Sequence, residues 1–210
     1  MKIISFEGIE GVGKSTQINL LKDHLEKSSY KVEIYREPGS TETSEKIRDM
    51  LLDKDNDLSS ETELLLMFAA RSELIDKKIN NSDCDFLLLD RFYDASLAYQ
   101  GYGRNLSIDL INNLIQFINC PKPNHSILLD ISVEEGFSRK SNDQKDRIES
   151  SGHDFFNKVR QGYLKIAELE HERFTVIDAS NDVNTISNKI ISTINTVSYT
   201  HLTLPTILLV

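Results

Sequence analysis

Apolar side chains along this chain follow two repeats: short β-branched runs, and longer stretches in which they recur every third or fourth position. Lys2-Ile3-Ile4-Ser5-Phe6 predicts a buried strand, and Ile18, Leu21 and Leu25 behind it predict an amphipathic helix. Lys31 to Tyr35 alternates like a second strand and runs into Arg36-Glu37-Pro38-Gly39, where Pro and Gly force a turn. A short helix follows from Ser44 to Leu52, then a longer one from Ser59 with Ser60-x-x-Glu63 as its capping box. Phe86 to Leu89 is continuously apolar, as a strand covered on both faces must be, and it ends in Asp90-Arg91. Ser96 to Gln100 leads into a loop at Gly101-Tyr102-Gly103-Arg104, before a helix from Ser107 to Asn119 that Pro121 and Pro123 stop.

Ile127-Leu128-Leu129-Asp130 repeats the pattern of an apolar run closed by Asp. Between Arg139 and Asp154 charges, Ser, Asn and Gly replace the periodicity, which predicts a lid. Phe155, Val159, Tyr163, Ile166 and Leu169 restore a helix, Phe174 to Asp178 reads as a last strand, and Val183 to Ile194 as a last helix. Strands alternate with helices throughout. The expected class is therefore α/β: a parallel five-stranded sheet joined by right-handed crossovers, helices on both faces, and a short lid over about 139–154. A chain of 210 residues suits one domain, expected over 1–197. Residues 198–210 are apolar and β-prone where the charged helical pattern has stopped, and are expected to be a non-native vector or assembly scar. An ordinary terminal strand is the alternative.

The turn between the first strand and helix carries the chemistry. Gly8-Ile9-Glu10-Gly11-Val12-Gly13-Lys14-Ser15 fits G-x-x-x-x-G-K-[ST] in the strand-to-helix context that motif requires. Gly8, Gly11 and Gly13 allow a tight turn that aims successive N–H groups inward at the positive end of a helix. Lys14 reaches terminal phosphates, and the Ser15 hydroxyl ligates Mg²⁺. Asp90, at the end of its apolar strand, resembles a Walker-B carboxylate.

The formal net charge of −9 argues against general affinity for nucleic acid or anionic membrane, so gathered cations serve a local anion. Cys84 and Cys120 lack metal spacing, His125 and His153 stand alone, and all four read as structural. With no signal segment and no uninterrupted spanning helix, cytoplasmic residence is expected. A guanine-reading Asn-Lys-x-Asp is absent, since Asn188-Lys189 is followed by Ile190-Ile191, and Asp90 is followed by Arg91-Phe92-Tyr93 rather than a switch motif. Arg36, Arg48, Arg71, Arg91 and Arg104 lie where strands end, with Arg139 and Arg147 in the expected lid. Guanidinium forks suit phosphates.

The chain resembles the bacterial-type thymidylate kinases over roughly residues 1–194. The resemblance rests on Phe6-Glu7-Gly8 through Ser15-Thr16, Arg36-Glu37-Pro38-Gly39, Phe68-Ala69-Ala70-Arg71, Asp90-Arg91-Phe92, Ala98-Tyr99-Gln100-Gly101 with Arg104, and Asp146-Arg147-Ile148-Glu149. It implies the P-loop nucleoside monophosphate kinase fold, transfer of the γ-phosphoryl group of ATP to dTMP with Mg²⁺, and a homodimer packed through helices. By the same resemblance, Arg48 and Arg91 hold the acceptor phosphate, Glu10 takes the sugar 3′-hydroxyl, and Glu37 and Asp90 sit near the magnesium. Arg71 donates to a thymine carbonyl, Ser96 and Gln100 contact the base, and Tyr99 packs under the sugar.

Two positions depart from the family. A stacking phenylalanine usually precedes the arginine by four residues, but here Met67 holds that place and Phe68 precedes Arg71 by three. Neighbouring helical positions differ by about 100°, so only one can face the base, and Phe68 is favoured as the better stacking surface. The phosphate loop holds no arginine, which leaves Arg139 and Arg147 as candidates for the arginine that offsets transition-state charge. Two rivals stay open: another small P-loop nucleoside or nucleotide kinase, and a nucleotide-binding module without catalysis.

Overall fold

The computed structural model describes residues 1–140 and 146–199, with side chains to residue 196. Five strands form one sheet: β1 (Lys2–Glu7), β2 (Val32–Arg36), β3 (Phe86–Asp90), β4 (His125–Asp130) and β5 (Phe174–Asp178). Their order is β2-β3-β1-β4-β5 and every neighbouring pair is parallel. This is the expected α/β architecture. The helices are α1 (Lys14–Lys27), α2 (Glu42–Leu52), α3 (Ser60–Lys77), α4 (Tyr93–Ser96), α5 (Ile108–Phe117), α6 (Val133–Arg139), α7 (His153–Leu169) and α8 (Val183–Tyr199).

The central strands explain the sequence pattern. Leu87, Leu88 and Leu89 are 0% exposed because helices cover both faces of β3, and each buried side chain stabilises the fold by about 1.5–3 kcal/mol. On α1 the buried apolar residues are Ile18, Leu21 and Leu25, the stripe that the helical repeat predicts. β1 lies between β3 and β4, so the turn that follows it emerges at the middle of the sheet's carboxyl edge. That edge is where open parallel sheets bind ligands.

Several local expectations are corrected. α3 is capped by Ser59, whose hydroxyl accepts from the Thr62 N–H, so Ser60 and Glu63 form no capping box. Glu63 turns inward instead and is buried. The expected loop at Gly101–Arg104 belongs to a π-helical stretch, Leu97–Gly103. Such stretches shift the phase of the side chains they carry, and here they are Tyr99 and Gln100. α2 starts at Glu42, two residues early, with Thr41 as its cap. Within the expected lid, Arg139 ends α6, Glu149–Ser151 forms a 3₁₀ turn, and His153 opens α7; residues 141–145 lie outside the described residues. Of the expected foreign tail, 198 and 199 continue α8 and 200–210 lie outside the described residues. Among the described residues no helix is long and apolar enough to cross a membrane.

Candidate active site

The loop after β1 takes the predicted conformation because its glycines take φ values closed to other residues. Gly8, Gly11 and Gly13 have φ of 133°, 76° and 89°. Gly11 is also a point of close approach: a Cβ there would lie 2.0 Å from the Gly136 carbonyl oxygen on α6. Lys14 Nζ folds back to donate to the carbonyls of Gly8 and Ile9 at 3.2 and 2.9 Å. Burial and the nearby Arg91 guanidinium push its pKa down to about 8.

That depression gives a testable pH dependence. An incoming di- or triphosphate restores the charged form, so above about pH 8 binding takes up a proton, and below it Lys14 is charged in both states. The affinity for ADP is expected to be flat from pH 6.5 to 7.5 as regards Lys14 and to fall by up to about tenfold per pH unit above 8. Calorimetry in buffers of different ionisation enthalpy checks this. Proton uptake approaching one at pH 9 is the expected result, and none at that pH contradicts the assignment.

Arg91 anchors the middle of the site. Its φ is 69°, a conformation costly for a non-glycine residue, and both flanks fix it. Its own N–H donates to the Phe6 carbonyl at 3.0 Å, and the next N–H, on Phe92, donates to Glu7 Oε1 at 2.9 Å. The guanidinium then reaches the Gly8 carbonyl at 2.8 Å, the Tyr163 hydroxyl at 3.1 Å and Glu10 Oε1 at 2.7 Å. It also lies over the Tyr99 ring, 4.9 Å from the centroid. Glu7 is fully buried; burial pushes its carboxyl up to about 8, against the pull of Arg91 and its hydrogen-bond donors.

Two cavities meet at this residue. The first, with about 550 Å³ of atom-free space partly open to solvent, is lined by Pro38, Leu52, Met67, Arg71, Ser96, Tyr99 and Gln100. The second is lined by Gly11, Gly13, Lys14, Ser15, Thr16, Arg36, Asp90, Lys140 and Glu149. Glu10, Glu37, Arg48, Arg91 and Asp146 line both, so the cavities join between the phosphate loop and two guanidinium groups. Arg48 is fixed by donating to the Pro38 carbonyl at 2.9 Å. Burial and the neighbouring Arg36 lower its pKa, the signature of a cation placed beside other cations to meet an anion.

The wall of the first cavity carries specific hydrogen-bonding groups. Arg71, 2% exposed, donates to Glu37 Oε2 at 2.7 Å, Ser96 Oγ at 3.0 Å and the Phe92 carbonyl at 3.2 Å. Glu37 Oε1 is enclosed and has no hydrogen-bond partner among the described residues. Ser15 Oγ donates to Asp90 Oδ2 at 3.1 Å. These oxygens suit a hard cation. Among the described residues no cluster of three or more His, Cys, Asp or Glu encloses a metal, and Mg²⁺ needs none because it keeps waters and phosphate oxygens.

Some expected residues stand elsewhere. Phe68 is buried with its ring 4.8 Å from the Arg71 guanidinium and lines neither cavity, whereas Met67 lines the first. Arg104 lies over the Phe155 ring and bonds Glu63 and Ser151. Arg139 donates to the Ala179 carbonyl and Glu135, and Arg147 to the Leu51 carbonyl and Glu63; neither is among the residues lining these two cavities. Among the described residues of the expected lid, the cation that lines the phosphate side is Lys140, hydrogen-bonded to Glu149. Ile9 and Val12 are buried in the core behind the loop. The sequence points to no functional role for Tyr163, Glu7, Lys140 or Asp146, and to a capping role alone for Glu63. The motif containing Glu7 was visible, but nothing local distinguished Tyr163 from its core neighbours.

The thymidylate kinase family pattern matches residues 6–190. The chain is 40% identical to the thymidylate kinase of Thermoanaerobacter sp. (strain X514) over 196 residues, covering 92% of this chain and 97% of that one. It is 43% identical over 204 residues to that of Prosthecochloris aestuarii (strain DSM 271 / SK 413), covering 91% and 92%. The crystal structure of thymidylate kinase from Ehrlichia chaffeensis superposes with a TM-score of 0.76 at 32% identity, covering 92% of this chain and 98% of that one. Joined cavities at a phosphate loop and likeness over nine-tenths of the chain lead to one conclusion: the protein belongs to the thymidylate kinase family and phosphorylates dTMP to dTDP with ATP.

Proposed function

We propose that ATP lies with its phosphates in the loop Gly8–Thr16, that dTMP fills the cavity walled by Met67, Arg71, Ser96, Tyr99 and Gln100, and that the reacting phosphates meet between Arg48 and Arg91. The observation that carries this reading is the set of residues common to both cavities. Lys14 exchanges the Gly8 and Ile9 carbonyls for phosphate oxygens, which also relieves the depression of its pKa. Ser15, Asp90 and Glu37 hold Mg²⁺, directly or through water, supported by the Ser15–Asp90 pair and the unpartnered Glu37 oxygen. Bound there, Mg²⁺ neutralises phosphate charge. Glu10 takes the sugar 3′-hydroxyl, and its present bonds to Tyr99 and Arg91 hold its carboxylate ready at the junction.

Among the described residues Lys140 is the lid cation on the phosphate side in this reading, with Arg139 and Arg147 as structural clamps on either side of 141–145. Phosphoryl transfer needs positioning and neutralisation, which a lysine supplies as a point charge. A kinase domain over 1–197 with a non-native 198–210, a helix-packed homodimer and cytoplasmic residence belong to the same proposal. So does the absence of nucleic-acid or membrane affinity, which the net charge of −9 supports.

The assignment of the base wall is tested by paired substitutions. Met67→Ala is expected to raise KM for dTMP by about three- to tenfold while leaving Tm within a few degrees, since a partly exposed thioether is lost from the ligand cavity. Phe68→Ala empties a core position and is expected to cost about 3–5 kcal/mol, a fall of roughly 6–20 °C in Tm. Thermal melts beside steady-state kinetics check both. A selective KM effect from Phe68→Ala, with Tm preserved, would reverse the assignment.

A further inference from the structure

Glu63 lies on neither cavity wall, yet it holds a side chain that does. It is 1% exposed and accepts from Gln100 Nε2 at 2.8 Å, Arg104 Nη2 at 3.2 Å and Arg147 Nη2 at 2.7 Å. Burial pushes its carboxyl up, but these donors outweigh burial and hold it below the usual range, so it is ionised at neutral pH. An ionised carboxylate has acceptors only.

That chemistry decides which way the Gln100 carboxamide faces. Its NH₂ group must be the end turned to Glu63, which leaves carbonyl Oε1 on the other side. Gln100 lines the first cavity, and its bond to Glu63 is the one hydrogen bond its side chain makes among the described residues. Gln100 is 1% exposed, yet Oε1 is not sealed in: among the described residues the enclosed unpartnered side-chain atoms are Gln17 Oε1 and Glu37 Oε1. The wall therefore offers a nucleobase one acceptor of fixed sense at Gln100, beside the donors of Arg71.

We propose that Glu63 is a specificity-positioning residue: it locks the Gln100 carboxamide so that a carbonyl faces the base, selecting pyrimidines that present a ring N–H over those that present a ring nitrogen lone pair. Thymine and uracil carry that N–H at N3, and cytosine carries a lone pair. The inference rests on the reading above that Gln100 faces the base. Arg104 and Arg147, bound to the same carboxylate, tie this orientation to the segment that follows residues 141–145.

The test compares dTMP with 5-methyl-dCMP, which keeps ring shape and methyl group but carries a lone pair at N3 and an amino group at C4; kcat/KM is measured at saturating Mg-ATP, and the change of the ratio in a Glu63 variant reads the N3 contact. Wild-type enzyme is expected to prefer dTMP by about tenfold or more, because the analogue leaves a cavity acceptor unpaired. In Glu63→Gln, whose amide both donates and accepts, the sense of the Gln100 carboxamide is no longer fixed, and that preference is expected to shrink at least threefold. Glu63→Asp keeps an acceptor-only group and is expected to retain it. A merely structural role would lower both substrates alike, so an unchanged ratio in Glu63→Gln overturns the proposal. A wild-type ratio near one overturns it without any variant. If Gln100→Ala leaves dTMP kinetics untouched, the underlying reading of the base wall fails instead, a separable outcome.

Discussion

Replacing Lys14 by alanine is expected to lower kcat by about 10²- to 10³-fold or more while leaving Tm within a few degrees of wild type. The two halves of this result have different origins. The loop conformation is set by the positive φ of Gly8, Gly11 and Gly13, and the packing beneath it by Ile9 and Val12, none of which depends on Lys14. The ammonium, in contrast, is 9% exposed and displaced from its ordinary pKa, so its burial weakens the free protein slightly. What it supplies is a charge at the terminal phosphates that strengthens as negative charge moves toward the leaving oxygen. Coupled-assay kinetics and thermal melts check the pair. Unfolding of Lys14→Ala, or a kcat within threefold of wild type, would show that the lysine serves the fold rather than the reaction.

The same variant should remove the Lys14 share of the proton uptake on ADP binding above pH 8, while Glu7, whose carboxyl is also pushed up to about 8, is present in both proteins and cancels in the comparison. This ties the kinetic loss to one side chain.

The features readable from the chain share a local cause. Phe86 to Asp90 announces a buried parallel strand because both faces must be apolar, and the glycines of 8–13 announce their turn because their backbone demands no side chain. The misread features have long-range causes. Ser59 and Ser60 both precede a helical run, and it takes the distant donors Gln100, Arg104 and Arg147 to hold Glu63 inside and away from the capping role. Helical spacing separates Met67 from Phe68 by about 100° but cannot say which faces the cavity until α3 is packed against α2 and the π-helical stretch. The bond from Arg147 to the Leu51 carbonyl, nearly a hundred residues away, likewise leaves no local trace in the sequence. The π-helical turn that carries Tyr99 and Gln100 has no periodic signature of its own; its Gly101 and Gly103 read as loop, although a Cβ at either would press on Ile108 or Phe155. α6 is seven residues long, too short for a helical repeat to declare itself.

Joining adenosine and thymidine 5′ to 5′ through five phosphates is expected to give a ligand that binds far more tightly than ADP or dTMP. The five phosphates are those of both substrates plus one to span the loose transition state. One end fills the loop cavity and the other the base cavity, so the second half binds at an effective concentration set by the linker rather than by bulk solution. The chain's crowding of negative charge is met by Lys14, Arg36, Arg48 and Arg91, all on the phosphate-side wall, while Glu10 and Asp90 remain for the sugar and the cation. The affinity of this molecule, measured by calorimetry against ADP and dTMP separately, tests the joined-cavity account most directly. A Kd lower than either nucleotide's by about 10²-fold or more is the predicted result; a Kd no lower than that of ADP alone would mean that the two cavities do not bring their phosphates together.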